Sequence, residues 1–159
     1  MPSRKQQKQN ERKALSGIKM THRSGHRGGR GTVKLRGVVT RGIGQSAFFT
    51  EIPWVRKQFA EKLSINPYPG TFNITVVAED RDKLNQIRAA RGIEIVPEDE
   101  DFCAASSFPA LINHRIKGAV IIPRVADYPE TKVELISAEK VTDSLSLKNG
   151  DQVEVEVYL

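Results

Sequence analysis

Thr71 and Asn73 stand two apart in the segment Pro67-Tyr68-Pro69-Gly70-Thr71-Phe72-Asn73. Side chains two apart on a strand point to the same face. A hydroxyl and an amide carbonyl would therefore converge while Phe72 faces the opposite way. Pro69 pre-sets a turn, and Gly70 allows the positive φ that a type II turn needs. Two neutral oxygen donors placed so suit a small hard cation or a phosphate. Taken alone, the same seven residues also read as an ordinary turn into a strand.

Glu134 is the next candidate. Within Lys132-Val133-Glu134-Leu135-Ile136 it shares a strand face with Lys132 and Ile136. On a pocket-lining face it is a candidate proton acceptor; on an edge strand it is a solvated side chain. Gly42-Ile43-Gly44-Gln45-Ser46-Ala47 matches the loose dinucleotide pattern G-x-G-x-x-G/A. The later chain lacks βαβ alternation, which excludes a Rossmann fold. What is left is a Gly-rich turn whose backbone N–H groups could cradle phosphate oxygens. There is no G-x-x-x-x-G-K-[ST] motif. His22, His26 and His114 do not form a zinc-type set, since two of them lie in the basic N-terminal segment. Cys103 is the sole cysteine, so there is no internal disulfide, and its apolar setting reads as a small core residue.

The elements that must position these groups are mostly strands. Thr32–Thr40 alternates Val33, Leu35, Gly37 and Val39. Pro53–Leu63 has helical spacing at Val55, Phe59 and Leu63, with Pro53 in its first turn. Phe72–Val77 is β-rich. Asp80–Arg91 predicts a second helix, capped by Asp80, stopped by Gly92 and facing inward through Leu84 and Ile87. Glu98–Asp101 reads as a solvated charged loop. Phe102–Ser106, Ala110–Asn113, Ile116–Ile122, Val133–Ser137 and Gln152–Tyr158 are short strand-like runs broken by Pro, Asn or Gly, with His114 at a hairpin tip and Asn149-Gly150-Asp151 turning into the last run. Many short strands and few helices predict a compact barrel.

The 159 residues carry a net charge of +6, but residues 1–31 hold nine Lys/Arg against Glu11, or +8. The remaining 128 residues therefore sum to about −2. Residues 1–31 are expected to form a basic, largely disordered tail able to meet nucleic-acid phosphates, and residues 32–159 the folded domain. No apolar run follows the early charges and none approaches the roughly 20 residues of a membrane span. A soluble, cytoplasmic protein without membrane contact is the expectation.

In order along the chain, Gly37-Val38-Val39-Thr40-Arg41-Gly42-Ile43-Gly44, Phe49, the Pro53 helix and Pro67–Asn73 resemble the N-terminal half of the CTP-dependent riboflavin kinases best known from archaea. Lys117-Gly118-Ala119-Val120-Ile121-Ile122-Pro123, Val133–Ile136 and Leu145-Ser146-Leu147-Lys148-Asn149-Gly150-Asp151 resemble the C-terminal half. The resemblance spans about residues 35–158, and P-x-P-G-T-x-N is its most specific part. It implies a mainly β fold, a six-stranded cradle-loop barrel related to riboflavin-synthase-like barrels, with one or two short helices. It implies transfer of the γ-phosphate of CTP to the 5′-hydroxyl of riboflavin, giving FMN and CDP. Thr71 and Asn73 would hold Mg²⁺. Ile43, Gly44, Gln45, Ser46, Ala47 and Phe48 would wrap the nucleotide, and Glu139, Lys140, Val141 and Thr142 would close over it. Ala126 and Glu134 would meet the flavin, with Glu134 as the catalytic carboxylate. The family commonly shows Glu-Gly where Gln45-Ser46 stand, Leu-Arg where Val141-Thr142 stand, and a hydroxyl residue where Ala126 stands. A non-catalytic barrel that binds a nucleotide, flavin or nucleic acid is the competing reading.

Overall fold

The computed structural model describes residues 31–42 and 46–159, and the side chains of all of these except 46–48. The tail expectation for residues 1–30 lies outside the described residues. Among the described residues there are seven strands: β1 (Thr32–Thr40), β2 (Phe72–Val76), β3 (Ile93–Ile95), β4 (Ala105–Ile112), β5 (Ile116–Pro123), β6 (Lys132–Ser137) and β7 (Gln152–Tyr158). The helices are α1 (Ser46–Glu51), α2 (Pro53–Leu63), α3 (Arg81–Ala89) and α4 (Val141–Ser144). Strands β4, β5, β6, β2, β1 and β7 pair in that order, all antiparallel, and β7 pairs with β4 to close the ring. The fold is thus a closed six-stranded barrel, with β3 as an added seventh strand on β4.

Alternation along each strand sends one set of side chains inward. Val33, Leu35 and Val39 of β1, Phe72, Ile74 and Val76 of β2, Val133 and Leu135 of β6, and Val153, Val155 and Val157 of β7 fill the barrel together with Leu84 and Ile87 of α3. A second apolar cluster covers part of the outside. Ala105, Ala119, Ile121 and Ile136 point outward from β4, β5 and β6 and pack under Val55 and Phe59 of α2, Ile65 and Ile95. Strand β5 is therefore buried on both faces, which is why its sequence reads as a nearly continuous apolar run.

Pro109 does not break its strand as the sequence predicted. Residues Ala105–Ser107 of β4 pair with β3 and Ala110–Ile112 pair with β7, so Pro109 falls where one edge of β4 passes between partners. A residue without an N–H is tolerated where a ladder is interrupted. The outer edge of β3 is covered by side chains of α2. Gln58 Nε2 donates to Val96 O at 2.7 Å, Val96 N donates to Gln58 Oε1 at 2.8 Å, and Lys62 Nζ donates to Glu94 O at 2.6 Å. Such covering blunts an exposed strand edge. Gln58→Ala is expected to lower unfolding free energy by about 1 kcal/mol, read from urea denaturation; an unchanged midpoint would show that water serves this edge equally well.

Asp80 precedes α3 but makes no side-chain capping bond. Its carboxylate is taken instead by Arg36 of β1. Arg36 N, Nε and Nη2 donate to it at 2.8, 3.1 and 3.0 Å, and Lys83 Nζ lies 3.6 Å away. The hydrogen bonds from Arg36 hold this buried carboxyl down at about 2. Arg36 wins over a local cap because its guanidinium offers two donors and its backbone N–H a third to one carboxylate.

Candidate active site

The Pro67–Asn73 turn is fixed from both ends. Tyr68 N donates to Ser137 O at 2.7 Å, and Gly70 N donates to Thr50 Oγ1 of α1 at 2.9 Å. Gly70 has φ +99°, the left-handed value expected of it. Phe72 then enters the barrel interior and Asn73 lies on the outer face, as alternation predicts.

Strand register sets Asn73 directly beside Thr40 of β1 and Glu134 of β6. Thr71 Oγ1 lies 3.4 Å from Asn73 Oδ1 and 3.3 Å from Glu134 Oε1. Asn73 Nδ2 donates to Thr71 O at 3.0 Å and to Thr71 Oγ1 at 3.2 Å. Its amide nitrogen is thus committed to the turn, which leaves the carbonyl oxygen for a ligand. Gly42 makes this arrangement possible, because a Cβ there would stand 2.7 Å from Asn73 Nδ2.

Glu134 does not lie on an edge strand. β6 sits between β5 and β2 in the closed ring, and the Glu134 side chain is 19% exposed. Tyr128 OH donates to Glu134 Oε2 at 2.8 Å, while Lys132 Nζ is 4.0 Å from Oε1. Burial, followed by the Glu134 charge, pushes the Tyr128 hydroxyl well above the usual phenol range. Tyr128 is therefore a donor here at any ordinary pH.

A cleft of about 240 Å³ opens beside this cluster. Thr71 and Asn73 line it, as do Glu139, Lys140, Val141 and Thr142 of the α4 segment, with Arg41, Gly42 and Tyr68. Val141 turns inward and is buried. Glu134 stands behind Thr71 and does not line this cleft, and Ala126 is exposed on the turn that leads to Tyr128. Ile43, Gly44 and Gln45 lie outside the described residues, as do the side chains of Ser46, Ala47 and Phe48.

Among the described residues no cluster of three His, Cys, Asp or Glu side chains forms a metal site. The Thr71–Asn73 pair is a different kind of donor set. Cis ligands at the 2.0–2.1 Å bond lengths of octahedral Mg²⁺ lie about 2.9 Å apart, so oxygens at 3.4 Å need only a small approach. With its hydrogen aimed at Glu134, the Thr71 hydroxyl presents oxygen density to a cation. The donor set fits Mg²⁺ with further oxygens from water or phosphate.

Sequence reasoning missed Tyr128, Thr50 and Arg41. Arg41 could have been found beside its Gly-rich turn, but no spacing rule brings Tyr128 to Glu134 across a turn containing Pro129.

A family model named CTP-dep_RFKase and described as "Domain of unknown function DUF120" matches residues 39–157. The chain is 41% identical over 132 residues to a riboflavin kinase of Archaeoglobus fulgidus, covering 81% of this chain and 56% of that protein. It is 36% identical over 132 residues to a riboflavin kinase of Sulfurisphaera tokodaii, covering 79% and 95% of the two chains. A riboflavin kinase of Methanobrevibacter smithii is 32% identical over 124 residues, 78% of this chain and 99% of that one. The match thus spans little more than half of the Archaeoglobus relative and nearly all of the other two. With the closed barrel and the P-x-P-G-T-x-N turn, these likenesses make the chain a member of the CTP-dependent riboflavin kinase family.

Proposed function

We propose that residues 32–159 phosphorylate riboflavin at its 5′-hydroxyl with CTP as donor, giving FMN and CDP. The observation that carries this reading is the meeting of Thr71, Asn73 and Glu134 on one outer patch of the barrel, beside a cleft lined by Glu139–Thr142. The bond between the γ-phosphorus and the β-phosphate oxygen of CTP breaks as the bond to riboflavin O5′ forms, CDP leaves, and the hydroxyl proton passes to the Glu134 carboxylate. Such a transfer demands positioning and charge neutralisation more than covalent help.

Thr71 Oγ1 and Asn73 Oδ1 would hold Mg²⁺. Bound there, the ion would neutralise charge on the phosphate oxygens. Arg41 and Lys140 line the same cleft and add fixed positive charge for the phosphate tail, a role that Thr142 lacks the charge to fill. Glu139–Thr142 would contact the nucleoside, and Ile43–Phe48 would wrap its phosphates. Glu134 would keep Thr71 oriented and would meet the flavin hydroxyl, while Ala126 would border the flavin. The short methyl of Ala126 offers no hydrogen bond, so flavin orientation on that side falls to Glu134 and its neighbours.

Incubation with riboflavin, Mg²⁺ and either CTP or ATP, followed by chromatography for FMN, tests the reading. FMN is expected with CTP in preference to ATP. Absence of FMN with every nucleoside triphosphate would sink it in favour of a binding module.

A further inference from the structure

Glu134 is held by hydroxyls from two separate elements. Tyr128 OH donates to Oε2 at 2.8 Å and Thr71 Oγ1 approaches Oε1 at 3.3 Å. A carboxylate bonded through one oxygen alone can rotate about its last torsion, since such sp² ends have broad, two-fold wells. A second donor on the other oxygen removes that freedom.

The segment that carries Tyr128 is itself tied down on both sides. Pro129 O accepts from Arg88 Nη2 at 3.0 Å and from Lys132 N at 3.3 Å, and Thr131 O accepts from Val76 N at 2.8 Å. Arg124, at the start of the same segment, donates to Arg88 O at 3.1 Å and Ala90 O at 3.4 Å. The end of α3 thus clamps the loop that presents the phenol. Ala126 belongs to the same loop.

We propose that Tyr128 is a positioning residue for the phosphoryl transfer: its hydroxyl locks the Glu134 carboxylate so that Glu134 in turn keeps Thr71 Oγ1 facing the cation site. The loop on the flavin side and the turn on the nucleotide side are then parts of one hydrogen-bonded chain. This inference rests on the flavin-kinase reading above.

Four proteins test it: the natural chain, Tyr128→Phe, Glu134→Gln and the double variant. FMN formation from riboflavin, CTP and Mg²⁺ is measured with each, alongside thermal midpoints and riboflavin binding by fluorescence without nucleotide. Tyr128→Phe is expected to lower kcat about tenfold, the size of effect seen when a supporting partner of a ligand is removed. The KM for CTP, riboflavin binding and the thermal midpoint should stay near their natural values. In the Glu134→Gln background the same change should cost nothing further, because its effect runs through that carboxylate. If Tyr128→Phe also lowers the midpoint, assays below its transition should give the same tenfold ratio. A natural kcat in Tyr128→Phe, or losses that multiply in the double variant, overturns the proposal and leaves the kinase reading standing. No FMN from the natural chain removes both.

Discussion

Asn73→Ala is expected to lower FMN formation by roughly 100-fold or more, since loss of a direct ligand should exceed the 10–100-fold seen for supporting partners. The residue is 4% exposed, and its amide nitrogen holds Thr71 through two contacts. With Asn73 as the proposed ligand, removing it would take one oxygen from the cation and loosen the other. The loss should appear as a raised Mg²⁺ requirement at fixed CTP. Two neutral ligands bind Mg²⁺ weakly unless phosphate supplies negative charge, so titration of Mg²⁺ with and without CDP is the direct measurement. A variant that keeps both its turnover and its Mg²⁺ dependence would remove Asn73 from the metal site. Asp at this position is no simple improvement. Residue 73 is the cross-strand neighbour of Glu134, and like charges directly opposite are destabilising. A neutral amide would give the proposed cation an oxygen without setting two carboxylates against each other.

Asp80→Asn should have the largest effect on stability, about 3 kcal/mol at pH 7, the range for hydrogen bonds to a charged group. The change keeps the shape but turns an amide nitrogen toward Arg36 and removes the charge from a side chain that is 2% exposed. The pH dependence gives the sign. The folded Asp80 carboxyl is held at about 2, below the roughly 3.9 of an unfolded chain. Its stabilisation is therefore fully present above about pH 4 and is lost as the pH falls toward 2. The natural chain and the Asn variant should differ most in urea denaturation at neutral pH and converge near pH 2. A gap of the same size at both pH values would mean that packing, not charge, holds the Arg36–Asp80 contact.

Sequence pattern made the long elements legible because their two periodicities differ plainly. β1, α2 and β7 have the residue bounds that alternation and helical spacing predicted. Elements whose existence depends on partners were harder to read. β3 is three residues long and becomes a strand only because β4 offers it an edge and Gln58 closes the other side. β4 reads as two strands divided by Pro109 until the change of partners at that residue is known. Asp80 carries the sequence mark of a helix cap, yet Arg36, 44 positions earlier, takes it. The pair proposed to hold the cation stands at i, i+2 on one strand, a spacing the sequence shows directly. The Glu134–Thr71 contact joins residues 63 apart; the family resemblance implied both residues, but spacing alone could not join them. Tyr128 illustrates the limit further: its role follows from a clamp made by the far end of α3, which no local pattern encodes.

The closed ring has a consequence for how this chain reaches its folded state. β1 pairs along its length with β7, from Thr32 with Tyr158 to Val38 with Gln152. One wall of the barrel therefore joins segments more than a hundred positions apart, and β2 must await β6 in the same way. Closing so long a loop carries its entropic cost before the contact repays it. Folding in the slower milliseconds-to-seconds range of non-local β topologies is the expectation. During synthesis, one edge of β1 would stay open until β7 emerged, and the turn bearing Thr71 and Asn73 would lack Glu134 until β6 emerged, so the proposed catalytic patch would be completed late.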